Sequence, residues 1–132
     1  MQTVQKYGLI IVKENKFLIC KKKSTELFIL PGGKPEGNET PRECIKREIL
    51  EELGCKTDIE SLKYLGDFSD IAANEKDLIV HIYLYSGKII GEPKPSSEIE
   101  ELRWFGKDDN PEILSPILMN KILREIVKKK II

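Results

Sequence analysis

Short apolar runs in the first quarter of the chain predict β-strands. Residues 7–13 and 17–22 are two such runs, and Asn15 lies at the centre of the polar gap between them. Runs of this length around a turn-forming residue are typical of a β-hairpin. Residues 27–30 form a third strand-like run. Residues 31–38 follow with three glycines and two prolines, which predict an ordered loop.

An amphipathic helix is predicted after this loop. Thr40 is suited to the N-cap, Pro41 to the first helical position, and Glu43 completes a capping box. Gly54 predicts the end of the helix, because glycine adopts the left-handed conformation that follows many helices. The apolar residues recur at spacings of three and four, and so predict one buried stripe. The stripe consists of Ile45, Ile49, Leu50 and Leu53.

The second half of the chain continues the mixture of strands and helices. Residues 62–68 and 78–85 predict strands, residues 87–95 a loop rich in glycine and proline, residues 101–105 a short strand and residues 115–129 an amphipathic helix. One face of the segment 78–85 is purely aliphatic. Strands and helices do not alternate strictly, which favours helices packed on a mixed sheet. The aliphatic face consists of Leu78, Val80, Ile82 and Leu84, and the apolar side of the last helix of Ile117, Leu118, Ile122, Ile126 and Val127.

Composition narrows the class of protein. The chain has 132 residues, 40% of them hydrophobic, which predicts one domain over residues 1–132. Lys and Arg number 22, and so do Asp and Glu. This balance argues against generic nucleic-acid binding, which usually requires a basic excess.

The same inspection predicts a cytoplasmic protein. No apolar segment reaches the length of about 18 residues that a membrane helix needs, and the N-terminus lacks the pattern of a signal peptide. The three cysteines at positions 20, 44 and 55 form no CxxC pair, and there is one histidine. A disulfide framework or a zinc site is therefore not expected, and reduced thiols fit best.

Carboxylates are concentrated between residues 33 and 55. Glu48, Glu51 and Glu52 lie with Arg47 within an arc of roughly 140° of the predicted helix, at about 100° per residue. Like charges at these spacings repel by a few tenths of a kcal/mol per pair, and a divalent cation would remove the conflict. Carboxylate oxygens suit Mg²⁺ and Mn²⁺. The alternative, a solvated acidic face, stays open on composition alone.

The segment 33–55 resembles the Nudix box, Gly-x5-Glu-x7-Arg-Glu-U-x-Glu-Glu-x-Gly-U, where U is a bulky aliphatic residue. Eight of the nine defined positions match. Cys55 takes the ninth, where we expect a packing difference, because buried cysteine behaves as a small hydrophobe. The resemblance implies an α/β/α sandwich with a mixed central β-sheet, flanked by the box helix and a C-terminal helix. The matching residues are Gly33, Glu39, Arg47, Glu48, Ile49, Glu51, Glu52 and Gly54.

The resemblance also implies roles for these residues. Glu48, Glu51 and Glu52 would bind one to three Mg²⁺ or Mn²⁺ ions and serve catalysis, with the carbonyl of Gly33 as a further ligand. Glu39 would pair with Arg47 in a structural role, and Gly54 would end the helix. Glu36 lies in the same loop but is not a defined position of the box. Candidates for the general base are Glu52, Glu98 and Glu101.

Substrate choice lies outside the box. Aromatic residues that could contact a base are Tyr7, Phe28, Tyr83, Tyr85 and Trp104, and His81 shares a strand face with two of them; core packing is the alternative for each aromatic residue. The compact chain and the sequence LPGGK resemble the MutT-like branch, which implies hydrolysis of normal or oxidised nucleoside triphosphates. Hydrolysis of ADP-ribose or nucleotide sugars, removal of pyrophosphate from RNA 5′ ends, and a regulatory nucleotide-binding domain without catalysis are the alternatives. A monomer and a homodimer are both compatible with the sequence.

Overall fold

The strands form a four-stranded and a three-stranded sheet in the computed structural model, which describes residues 1–73, 75 and 77–132. The larger sheet has the order β4-β1-β6-β5, and the smaller has the order β2-β3-β7. The strands are β1 (Gln2–Ile10), β2 (Val12–Lys13), β3 (Lys16–Lys22), β4 (Gly32–Gly33), β5 (Lys56–Ile71), β6 (Leu78–Ile90) and β7 (Ile99–Phe105).

The predicted mixed sheet is confirmed. Strands β1 and β6 run parallel, from Gln2 opposite Leu78 to Ile10 opposite Ser86. The neighbours of this pair, β4 and β5, run antiparallel to it. The predicted hairpin is also present, as the antiparallel pair of β2 and β3. Glu14 and Asn15 at its turn both have positive φ, as a tight turn between twisted strands requires.

Helix α1 (Pro41–Leu53) has the predicted ends. The Thr40 side chain accepts a hydrogen bond from the Glu43 N–H, and the Glu43 carboxylate accepts one from the Thr40 N–H. This reciprocal capping box satisfies two backbone donors that the first turn leaves without helical partners. At the other end Gly54 is left-handed, with φ of 66°, and its N–H donates to the Leu50 carbonyl.

The buried face of α1 differs from the predicted stripe at one position. Ile45, Ile49 and Leu53 are fully buried, whereas Leu50 is 55% exposed, so its assignment to the buried stripe was wrong. At about 100° per residue Leu50 lies beyond the edge of the contact with the sheet. On the opposite edge the buried arc extends to Glu52, because other chain segments cover that side of the helix.

Two apolar layers lie on opposite faces of the sheets, which confirms the α/β/α sandwich. Neighbouring residues of one strand enter different layers: Leu9 contacts the layer beneath α1, and Ile10 contacts the layer beneath the C-terminal helix. The same division separates Leu18 from Ile19 in β3. Such alternation is expected when both faces of a strand are covered.

Several predicted boundaries were wrong. Residues 27–30 form no strand, and Phe28 and Ile29 make isolated bridges. Strand β5 begins at Lys56, before residue 62, and β6 continues through residues 87–90, where the sequence predicts a loop. The long β5–β6 ladder satisfies the backbone there. Gly87 serves close packing, because a Cβ atom at this position would lie 2.6 Å from Cδ2 of Leu62.

The C-terminal segment is helical but not uniform. It contains a 3₁₀ turn (Pro111–Ile113), a π-helical segment (Leu118–Ile122) and helix α2 (Leu123–Lys128). Ile126 is fully buried, whereas Val127, predicted on the apolar side, is 36% exposed. No helix in the described part of the chain is long and apolar enough to cross a membrane.

The difference in burial between Ile49 and Leu50 can be tested by substitution. Replacement of Ile49 by alanine should lower the free energy of unfolding by about 2–5 kcal/mol, because it leaves a cavity beneath α1. The matched replacement Leu50→Ala should change it by less than about 0.5 kcal/mol, because the side chain is largely solvated. Urea unfolding followed by circular dichroism compares the two. Equal losses would contradict the buried face assigned to α1.

Candidate active site

The loop before α1 is fixed to strand β1 by two glycines. Gly32 and Gly33 pair with Gly8 and Tyr7, respectively. Gly32 has φ of 138°, and a Cβ atom there would lie 2.0 Å from the Tyr7 carbonyl oxygen. A side chain is therefore excluded by both backbone conformation and space. The Gly32 N–H donates a 2.8 Å hydrogen bond to the Glu52 carboxylate, which joins the loop to the helix.

Gly33 lies directly beneath the carboxylate of Glu48. A Cβ atom on Gly33 would be 2.6 Å from Cδ of Glu48, closer than side-chain atoms approach one another. The carbonyl oxygen of Gly33 lies 3.6 Å from the Cys44 thiol, which donates to it. The two neighbouring glycines thus allow Glu48 and Glu52 to approach the loop backbone.

Arg47 ties the loop to the helix on its exposed side. Its guanidinium donates two hydrogen bonds to Glu39, at 2.8 and 3.0 Å, and one to the Lys34 carbonyl, at 2.9 Å. The bonds from Arg47 to Glu39, together with the one from the Glu36 N–H, hold the pKa of Glu39 below its ordinary value. A further bond of 2.6 Å runs to Glu48, and the Glu51 carboxylate lies 3.7 Å from the same nitrogen. Outside the defined box positions, Glu36 comes within 3.5 Å.

The three helix glutamates have different environments. Glu51 is exposed, Glu48 is partly buried, and Glu52 is only 2% exposed. Burial raises the pKa of Glu52 to about 8, and the nearby charge of Glu48 adds to the shift. Burial likewise raises the pKa of Glu48, against the opposing effect of Arg47. A cation near these oxygens would favour their ionised forms.

The donor set is compatible with Mg²⁺ or Mn²⁺. Glu48, Glu51, Glu52 and the Gly33 carbonyl offer hard oxygen ligands, and the missing side chain at Gly33 leaves room for the Glu48 carboxylate. Among the described residues, no three acidic, cysteine or histidine side chains converge as they stand. Arg47 occupies the space between Glu48 and Glu51, so a bound cation would compete with its guanidinium.

Glu98 and Glu101 are the two candidates for the general base after residue 95, and the structure brings one of them, Glu98, to the site. The Ser96 N–H donates to the Glu52 carbonyl, so this segment lies against the end of α1. Glu98 forms an ion pair of 3.3 Å with Lys22 and contributes to the raised pKa of Glu52. Glu101 instead forms an ion pair of 2.7 Å with Arg103.

A cavity of about 300 Å³ adjoins the glycine loop. Gly32, Gly33, Lys6 and Lys22 border it, and so does Ser115, which precedes the C-terminal helix. Ser24, Thr25 and Glu75 add further polar groups to its border, and the rest of its wall is apolar. The apolar residues include Val4, Leu30, Val80, Ile82, Ile117 and Leu118.

Most of the aromatic residues predicted to contact substrate lie elsewhere. Phe28 is buried in the core, 3% exposed, with the Arg103 guanidinium 4.7 Å from its ring centroid. Trp104 contacts the layer beneath α1, with the Lys13 ammonium 5.9 Å from its ring centroid. Tyr7 alone of the predicted aromatics borders the cavity.

The remaining aromatic candidates cluster on the sheet beside Tyr7. The ring centroids of Tyr83 and Tyr85 lie 5.5 and 6.3 Å from that of Tyr7. The His81 ring lies tilted against Tyr83, with the ring centroids 4.9 Å apart, and its Nε2 contacts the Asp67 carboxylate at 2.7 Å. In the structure these rings pack against one another on the sheet surface.

The sequence analysis did not identify Lys6, Lys22 and Ser115 as residues that border this cavity. A signal existed for Lys6, because it interrupts the inward-facing series of β1 that begins at Val4 and ends at Ile10. Burial lowers the pKa of Lys6, and the charges of Lys22 and Lys34 lower it further, whereas Glu52 opposes the shift. A partly buried lysine that borders a cavity is suited to an anionic ligand.

Comparison with known protein families shows to which family this chain belongs. The sequence profile described as NUDIX domain matches residues 3–129. The chain belongs to the Nudix family. This membership confirms the resemblance to the Nudix family that the box carries.

The relatives of this Nudix chain carry several names. It is 34% identical over 107 residues to a protein from Methanocaldococcus jannaschii named ADP-ribose pyrophosphatase, covering 79% of this chain and 62% of that relative. It is 23% identical over 123 residues to a MutT-like protein of Streptomyces ambofaciens, covering 93% and 76%. The chain therefore spans less than two thirds of the first relative.

A solved structure supports the same fold. The crystal structure of a MutT NUDIX hydrolase from Burkholderia pseudomallei has a TM-score of 0.75 and 29% sequence identity to this chain. The match covers 96% of this chain and 99% of the other. The layers and the box helix therefore have a direct structural counterpart.

The raised pKa of Glu52 predicts how stability depends on pH without metal. The unfolded chain ionises Glu52 near the ordinary value of 4.5, whereas the folded protein retains the proton up to about 8. The stability that this proton contributes is present below the lower value and is lost as the pH rises through the higher one. The thermal midpoint in EDTA should thus fall between about pH 5 and about pH 8.

The variant Glu52→Gln provides the control for this measurement, because its amide does not titrate. Its thermal midpoint should vary less over the same interval than that of the wild type. Identical profiles for the two proteins would show that Glu52 does not hold a proton in the folded state.

Proposed function

We propose that this chain is a Mg²⁺- or Mn²⁺-dependent hydrolase that cleaves a phosphoanhydride bond of nucleoside triphosphates. One observation carries the proposal: the carboxylates of Glu48 and Glu52 meet the Gly32–Gly33 backbone beside a cavity bordered by two lysines. Acidic groups for a cation and basic groups for a phosphate chain are thus adjacent. This combination is suited to phosphoryl chemistry, which depends on positioning and on electrostatic stabilisation.

Glu48, Glu51, Glu52 and the Gly33 carbonyl would hold the metal. The bound metal would polarise phosphoryl oxygens and lower the pKa of a coordinated water. The protein contributes the rigid support: Arg47 and Glu39 hold the loop, and the Gly32 N–H fixes the Glu52 carboxylate.

Two glutamates are suitable as the general base. Glu52 is shielded from solvent, and Glu98 lies at the rim of the site next to Lys22. A base that accepts a proton from the attacking water needs a pKa near the working pH. The pH profile of kcat in Glu98→Gln separates the two: loss of the lower limb assigns the base to Glu98, and retention assigns it to Glu52.

A nucleoside triphosphate is favoured over larger compounds by the cavity. Its volume of about 300 Å³ lies at the lower end of ligand sites and suits one nucleoside. Lys6 and Lys22 border the same cavity and would neutralise the attached phosphates. The match to the whole length of a MutT NUDIX hydrolase agrees with this choice.

ADP-ribose is the second candidate substrate. The 34% identity to a protein named ADP-ribose pyrophosphatase favours it. A substrate panel in ¹⁸O-water with Mg²⁺ separates the candidates. Triphosphate hydrolysis releases labelled phosphate or pyrophosphate, or a labelled nucleotide, according to the phosphorus attacked. ADP-ribose would instead be converted to adenosine monophosphate and ribose 5-phosphate.

Replacement of a proposed metal ligand should abolish most turnover. Glu51→Gln removes a charge without changing size, and kcat with Mg²⁺ should fall by about 100-fold or more, the scale of losing one electrostatic contact to the transition state. Glu51 is exposed, so folding should be unaffected. The matched control is Glu60→Gln, which removes an exposed carboxylate from β5.

The outcomes of this comparison are distinct. Equal turnover by wild type and Glu51→Gln would refute the metal assignment. Binding of nucleotides by a wild type that hydrolyses no member of the panel would support the regulatory-domain alternative.

Lys6, one of the two lysines that border the cavity, should contribute to substrate affinity. Lys6→Met keeps the length of the side chain and removes its charge. We expect kcat/KM for the preferred triphosphate to fall about 10- to 100-fold, as for the loss of a hydrogen bond to a charged group. Lys23→Met, which changes an exposed lysine of the same region, is the control. Steady-state kinetics showing equal effects in the two variants would contradict a phosphate contact by Lys6.

A further inference from the structure

An open groove lies along the C-terminal helical segment, separate from the cavity of the candidate active site. Its volume is about 650 Å³, and none of the described residues that border it also borders the cavity. One side is the turn of residues 106–109, and the other is the helical segment. We refer to this feature as the basic groove. Its border consists of Lys107, Asp108, Met119, Leu123, Arg124, Val127 and Lys128.

An apolar stripe runs along the basic groove. Met119, Leu123 and Val127 follow one another at intervals of four residues, which places them on one side of the helical segment. Met119 is 39% exposed and Val127 is 36% exposed, whereas Leu123 packs against the apolar core. The stripe therefore extends the apolar surface of the core into solvent.

Three cations border the same stripe. Arg124 and Lys128 lie four residues apart on the helical segment, where like charges repel each other. Among the described residues, no carboxylate forms an ion pair with Lys107, Arg124 or Lys128. Asp108 on the border offsets one of the three charges. The groove thus combines an apolar stripe with an excess of positive charge, which an acidic partner would complement.

The turn that carries Lys107 is fixed by two hydrogen bonds. The Gly106 N–H donates to the Asp109 carboxylate at 2.8 Å, and the Asp109 N–H donates to the Gly106 carbonyl at 3.0 Å. The side of the groove opposite the helical segment is therefore formed before a partner binds. Such preorganisation lowers the entropic cost of association.

We propose that the basic groove is the docking site of an acidic amphipathic helix of a partner protein. The apolar face of that helix would contact the stripe, and its carboxylates would reach Lys107, Arg124 and Lys128. Amphipathic helices bind apolar grooves through anchors on one face, and methionine in such a surface adapts to varied side chains. The inference is independent of the proposed function, because its test does not require turnover.

Two other anionic partners fit the basic groove less well. Single-stranded nucleic acid requires aromatic side chains on which bases stack, and no aromatic ring borders the groove within the described part of the chain. A helix at a membrane surface buries its apolar face in lipid. This helical segment instead buries Leu118, Ile122 and Ile126 in the protein.

Fluorescence anisotropy with a labelled synthetic peptide tests the proposal. The peptide forms about five helical turns, with leucines on one face and glutamates on the other. We expect saturable binding to the full chain in the micromolar range, and weaker binding in about 0.5 M NaCl, which screens exposed charges. Arg124→Glu and Met119→Gln should each weaken binding about 10-fold, the scale of losing one important interface contact.

Helix α1 provides matched controls. Arg42→Glu reverses the charge of another exposed arginine, and Leu50→Gln replaces another exposed apolar side chain. Neither should change the affinity for the peptide. All four substitutions lie at exposed positions, so the thermal midpoints should stay close to that of the wild type.

A peptide of the same composition with its leucines scrambled separates docking from attraction between charges, and it should bind about 10-fold more weakly or less. Equal affinity for the two peptides would overturn the proposal, as would equal losses in the α1 variants or the absence of saturable binding. Tighter binding of oligodeoxythymidine or phosphatidylglycerol vesicles than of the peptide, lost in Arg124→Glu, would also overturn it and assign the groove to that partner.

Discussion

The close approach of helix α1 to the Gly32–Gly33 backbone is the constraint on which the site depends. The Gly32 N–H binds Glu52 at 2.8 Å, and the Glu48 carboxylate lies where a side chain of Gly33 would stand. Neither contact tolerates a larger residue in the loop. The same loop pairs with β1. The central sheet therefore fixes the position of the loop and, through it, the position of the helix carboxylates.

Burial and charge act in opposite directions along this helix. On the exposed side, Arg47 compensates the negative charge of Glu39 and Glu48 by binding both carboxylates. Glu52 on the buried side receives one backbone hydrogen bond, and its pKa is raised to about 8. An anion-rich site that is partly neutralised by one arginine and partly by protons is suited to exchange those partners for a cation.

The cavity beside the α1 glutamates bears on the choice of substrate in the proposed reaction. Lys6, Lys22 and Glu75 form its charged border, and apolar residues such as Val80, Ile82 and Leu118 form the opposite wall. Substitution within the wall can then change the substrate of the fold without disturbing its carboxylates.

The sequence by itself determined the helix, its capping box and its end at Gly54, because these depend on contacts between residues a few positions apart. It also determined the family, since the box concentrates the acidic residues in one local segment. Only the tertiary structure decided that Leu50 faces solvent while Glu52 is buried, and that Lys6 and Ser115 border one cavity. Local periodicity describes which residues share a face, but distant segments decide which face is covered, and cavities exist only between such segments.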